Sequence, residues 1–79
     1  MKTQEFINLF IDELEIENKE ITPSTELSSL EEWTSMGMMI AIGLAADNFN
    51  VVLKGNDLKK MRTVKDFMEE VGLEKFEDE

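Results

Sequence analysis

The chain has 79 residues, enough for one small domain, and contains no cysteine and no histidine, which excludes a disulfide framework, a thiolate nucleophile and the commonest general base near neutral pH. Lys and Arg total 8 against 18 Asp and Glu, a formal charge of −10, so a phosphate backbone is repelled and nucleic-acid binding is not expected. With 42% hydrophobic residues beside 33% charged ones, a folded domain is expected rather than a disordered acidic chain.

The first predicted element runs from Thr3 to Leu14, where Phe6, Phe10 and Leu14 recur every four residues beside Ile7 and Ile11. Thr3 is its expected N-cap, with Glu5 in the favourable first turn. Residues 15–32 then read as one long connection. Pro23 excludes an ordinary helix interior, the Thr and Ser residues around it favour local side-chain turns, and Leu27 and Leu30 are expected to pin the loop to the core. Connections this long inside small domains are uncommon and often functional.

The loop ends at Thr34-Ser35, and the chain from Met36 to Ala46 then carries no charge. A second helix is expected from Ser35 to Phe49, capped by Thr34 or Ser35. The uncharged segment is about half of what a bilayer requires, so a buried helix is expected and not a membrane span. Met36, Met38, Met39, Ile40, Ile42 and Leu44 surround this helix nearly completely, so it is either central core or presents an apolar face to a partner. Gly37 and Gly43 weaken it by roughly 1 kcal/mol each against alanine, or else let another backbone or a ligand come close.

Asn48 and Asn50 suit the end of this helix, and Val51-Val52-Leu53 follows as an extended connector with Val51 and Leu53 pointing inward. A short third helix is expected at Leu58 to Met61 after a cap at Asp57. A fourth, capped by Thr63, is expected from Val64 to Val71 and stopped by Gly72. Residues 74–79 form an acidic tail expected to fray. The pattern predicts an all-α fold, a small antiparallel four-helix bundle with a long first loop and a short third helix, as a single domain over 1–79.

Catalysis by this chain alone is not expected. No Ser-His or Cys-His pair can be built, no Gly-Lys-Ser/Thr phosphate loop occurs, and Asp47-Asn48-Phe49-Asn50 lacks the glycine and distal glutamate of a calcium loop. Glu31 and Glu32 read as solvated carboxylates. Ser35 is left as a residue acted upon, at a helix start whose partial positive charge and free amides suit an attached phosphate. Its simpler role is that of a cap.

In register, these features resemble the acyl carrier protein family. Thr34-Ser35-Met36 aligns with the family's Asp-Ser-Leu, Trp33 precedes it as in many relatives, and Phe49-Asn50-Val51-Val52-Leu53 matches the Phe-Gly-Ile-x-Ile ending of helix two. Thr63-Val64 and the first-loop stretch Ile21-Thr22-Pro23-Ser24-Thr25-Glu26-Leu27 also fit. The resemblance covers nearly the whole chain. It implies a monomeric cytoplasmic carrier that is not an enzyme. A phosphopantetheinyl transferase would load Ser35 covalently with 4′-phosphopantetheine, and acyl-transferring or acyl-activating enzymes would exchange thioester cargo with it.

Partner recognition would fall on Trp33, Thr34, Met36, Gly37, Met39 and Ile40. The sequence departs from the family in two places: Thr34 stands where the family has aspartate, and Gly37, Met38 and Ile40 stand where it carries acidic residues. A specialised pathway or a dedicated partner follows, with an unmodified adaptor binding through the apolar helix-two face as the alternative. Weak self-association is expected if much of the Met-rich helix faces solvent.

Overall fold

All five phenylalanines of the sequence meet at Phe6. Its ring centroid lies 5.5–5.9 Å from those of Phe10, Phe49, Phe67 and Phe76, and the side chain is fully buried. The computed structural model describes residues 1–77 and shows an all-α chain, with no strands among those residues. Its helices are α1 (Thr3–Leu14), α2 (Ser35–Phe49), α3 (Gly55–Lys59) and α4 (Val64–Val71). The aromatic cluster takes two rings from α1, one from the end of α2, one from α4 and one from the C-terminal segment, so each element packs on rings supplied by others. No polar or charged side chain is buried among the described residues. Apolar packing therefore holds the fold, and the two ion pairs, both at the surface, add little.

α1 buries Phe6, Ile7, Phe10, Ile11 and Leu14, the stripe its spacing predicts. Its N-terminus differs by one position: Thr3 is the first helical residue, and the Lys2 amide donates to Glu5 Oε1 at 2.8 Å. The helix ends at Glu15, which is left-handed (φ 54°), and the Ile16 amide returns to Ile11 O at 2.9 Å. That reversal buries Ile16, which joins Ile21, Leu27 and Leu30 as anchors of the long loop.

The same loop is stapled to the start of α4. Leu27 N donates to Arg62 O at 2.8 Å, Val64 N to Thr25 O at 3.0 Å and Lys65 N to Pro23 O at 2.8 Å. The loop carbonyls thus satisfy amides that the first turn of α4 would leave orphaned. Thr63 Oγ1 accepts from the Asp66 amide at 3.3 Å, and the Asp66 carboxylate accepts from the Arg62 and Thr63 amides at 2.8 and 3.0 Å.

Those bonds, the Arg62 amide foremost, hold the Asp66 carboxyl below its ordinary value of 3.8. The native state therefore favours the ionised form. Its stabilisation is complete above the unfolded-state pKa and is lost as pH falls through the lower, folded value. Asp66→Asn is accordingly expected to lower Tm at pH 7 and to leave a smaller loss of stability between pH 5 and the acid limit than wild type shows. Thermal melts across that range are the check, and equal acid slopes in the two proteins would remove Asp66 from the account.

α3 is shifted from its expected span of Leu58 to Met61: it starts at Gly55, because the Asp57 carboxylate caps the Lys54 amide at 2.9 Å, and it ends at Lys59. Leu53 is buried and Val51 half-buried, while Val52 between them is exposed, as an extended connector requires. The C-terminal segment corrects the expectation of a tail fraying from residue 74. Leu73–Lys75 form a 3-10 turn, and Phe76 is buried against Phe6 and Phe49. Lys75 Nζ donates to Phe49 O at 2.9 Å, and Glu77 N to Met1 O at 3.0 Å. The rest of the expected tail, residues 78–79, lies outside the described residues.

Candidate functional site at the start of the second helix

Five residues of loop and the first turn of α2 form the site. Trp33 is half-buried, its ring centroid 6.1 Å from that of Phe10, which fixes the loop to the aromatic core. Its amide donates to Leu30 O at 3.1 Å, and the Thr34 amide to Glu32 O at 2.9 Å, so the chain turns tightly before the helix begins. Thr34 is the N-cap: its backbone is extended, its Oγ1 accepts from the Gly37 amide at 3.3 Å, and its carbonyl accepts from Met38 N at 2.8 Å. Of the two capping alternatives the helix uses Thr34. Ser35 is thereby the first helical residue, and its side chain is exposed.

A contrast with α4 shows what this arrangement leaves open. Every amide in the first turn of α4 has a partner, whereas those of Ser35 and Met36 make no hydrogen bond among the described residues. A helix start carries roughly half a positive charge. The loop opposes it: Glu17, Glu31 and Glu32 bring carboxylate oxygens within 4.8 Å of one another, and Glu32 also accepts the Glu17 amide at 3.3 Å. Glu31 and Glu32 line the same cleft as Thr34 and Met36, so acidic side chains stand beside this helix start.

Gly37 departs from the expected role. The family resemblance places it on the recognition face, but it is buried, and a Cβ there would overlap the carbonyl oxygen of Glu32. Its lack of a side chain admits the loop backbone, not a partner. Met36 and Met39, by contrast, are 72% and 71% exposed, Thr34 is exposed and Ile40 is half-buried. Beside Ser35 a surface cleft of about 380 Å3 opens between the end of α1 and the start of α2, lined by Leu14, Glu32, Thr34, Met36, Gly37 and Ile40 among others. Thr34, Met36, Gly37 and Ile40 thus line one cleft, Ser35 is exposed between Thr34 and Met36 in the chain, and Trp33 packs on Phe10 behind them.

The acidic cluster is what sequence reasoning missed. Glu31 and Glu32 are adjacent and readable, but Glu17 is brought to them only by the reversal at Glu15, which has no local signal. No family model matches this sequence, and no curated protein or solved structure matches it.

Proposed function

We propose that this chain is an acyl carrier of divergent sequence, a four-helix bundle that is not itself catalytic and carries 4′-phosphopantetheine on Ser35. The observation that carries the reading is the hydroxyl at residue 35: it is exposed on the first turn of a 15-residue helix, beside two amides with no partner among the described residues, with a neighbouring residue doing the capping. Ser35 is therefore not needed as a cap and is free to be modified. A transferase would drive attack of the Ser35 oxygen on the phosphorus of coenzyme A that bears the pantetheine. A phosphodiester forms and the nucleotide half leaves. The serine proton passes to the transferase, since this chain has no histidine or cysteine to take it. The arm supplies the thiol that the chain lacks, and acyl-activating and acyl-transferring enzymes in the cytoplasm load and unload it.

The bare, exposed Met36 and Met39 and the threonine at position 34 favour a second reading, an unmodified adaptor that docks a partner through α2. Co-expression with a broad-specificity phosphopantetheinyl transferase, followed by intact-mass measurement, separates the two. The carrier gains one arm, and Ser35→Ala gains none. Thr34→Asp restores the carboxylate found in the family and remains an effective cap, so it is expected to raise the modified fraction without loss of fold. No addition to either the wild-type chain or Thr34→Asp, with both folded, would retire the carrier reading in favour of the adaptor.

A further inference from the structure

The six methionines of this chain fall into two groups. Met61 and Met68 are buried in the core, and Met1 and Met38 are half-buried against it. Met36 and Met39 are 72% and 71% exposed. They lie about one turn apart near the start of α2, and Met36 is the chain neighbour of the exposed Ser35. With no cysteine present, thioethers are the only sulfur the chain has. We infer that Met36 and Met39 form a site of reversible oxidation to methionine sulfoxide, which changes the head of α2 and leaves the fold intact.

The step is a two-electron transfer to a peroxide. A sulfur lone pair attacks one peroxide oxygen, the O–O bond breaks and an S–O bond forms. The hydroxyl proton moves to the departing oxygen, which leaves as water or an alcohol. Sulfur is oxidised and the peroxide is reduced. The return step consumes two thiols of a sulfoxide reductase: they are oxidised to a disulfide, and the sulfoxide oxygen departs as water. Both directions need a sulfur that a reagent can reach. That requirement selects Met36 and Met39, because access to Met61 or Met68 requires the core to open.

The fold has little at stake. Neither Met36 nor Met39 belongs to the buried cluster, so a sulfoxide at either position stays in water. At Met68, which is fully buried, the same oxygen would enter an apolar core without a partner. Ser35 has more at stake. An enzyme that brings a reacting atom to its oxygen has to cover the adjoining Met36, and a sulfoxide covered there loses its water and adds bulk. This consequence rests on the carrier reading: oxidation slows attachment of the arm.

Hydrogen peroxide at increasing dose on the full chain, followed by intact-mass measurement and peptide mapping, tests the site. Two oxygen additions are expected first, at Met36 and Met39, about tenfold or more faster than at Met61 and Met68. The doubly oxidised chain should melt within about 4 °C of the reduced one. Sulfoxide reductases of both epimer specificities should return it to its original mass. The double variant Met36→Leu with Met39→Leu keeps the apolar volume and should take up no oxygen at the same dose. Once peroxide is removed, transferase and coenzyme A are expected to load oxidised wild type about tenfold more slowly than reduced wild type, and reductase treatment to restore the rate. The double variant loads at its own rate whether or not it has met peroxide.

The inference falls if Met61 or Met68 oxidises as fast as the exposed pair, if two additions unfold the chain, or if the reductases leave the oxygen in place. Its link to Ser35 falls if oxidised and reduced chains load at one rate. If the reduced chain takes no arm, even as Thr34→Asp, the carrier reading is what fails, and the peptide map and the melts still decide the oxidation site.

Discussion

Phe6→Ala is expected to remove a large share of the chain's stability. Truncating a fully buried phenylalanine costs about 3–5 kcal/mol, and a domain of this length holds roughly 4–12 kcal/mol in total. The cost should lie at the upper end of that range here. The removed ring touches four others supplied by α1, α2, α4 and the C-terminal segment, and no single neighbour can move to fill the space. For a domain of this size the loss corresponds to about 15 °C or more in Tm, read by circular dichroism melting. A drop below about 5 °C would mean that the cluster is not what holds the elements together. Phe76→Ala gives the complementary result. The packed segment predicts a loss of about 3 kcal/mol, while a frayed tail predicts no change.

The second large effect is a difference in sign between two glycines of one helix. Helix propensity alone predicts that alanine stabilises α2 by up to about 1 kcal/mol at either position. Gly43→Ala should do so, since its surroundings are open. Gly37→Ala should destabilise by about 1–3 kcal/mol, because the new methyl group meets the backbone carbonyl of Glu32 and not a side chain that can swing away. That carbonyl is itself held by the Thr34 amide at 2.9 Å, so the shift propagates into the turn that sets Thr34 and Ser35. The expected signature is a lower Tm for Gly37→Ala together with slower loading of Ser35, and a higher Tm for Gly43→Ala. Stabilisation by both substitutions would show that the loop does not press on the helix.

Local sequence carried much of the fold because the signals are short-range. Phe6, Phe10 and Leu14 at fourfold spacing mark α1, and Thr63 marks the start of α4. Thr34 followed by an uncharged run marks α2 to the residue, since a cap, an amide three positions on and a left-handed Asn50 are all properties of neighbours in the chain. Ser35 was legible for the same reason. Gly37 was not: its obstacle is the Glu32 carbonyl, which reaches it only because the chain turns tightly at Trp33 and Thr34. Residues after Gly72 misled similarly. Four acids among the last six positions read as a solvated tail, and the single Phe76 that reverses this depends on a pocket built by Phe6 and Phe49.

The sequence by itself determined the helical class, where α1, α2 and α4 lie, and which hydroxyl sits at the head of α2, because spacing and capping act within a turn or two of the chain. Only the tertiary structure decided what covers each of those helices. It took the C-terminal phenylalanine into the core, pressed the loop onto Gly37, gathered Glu17 with Glu31 and Glu32, and left Met36 and Met39 without cover. Those outcomes depend on which distant surfaces meet, and apolar burial is non-directional, so a residue's own neighbours in sequence do not specify its neighbours in space.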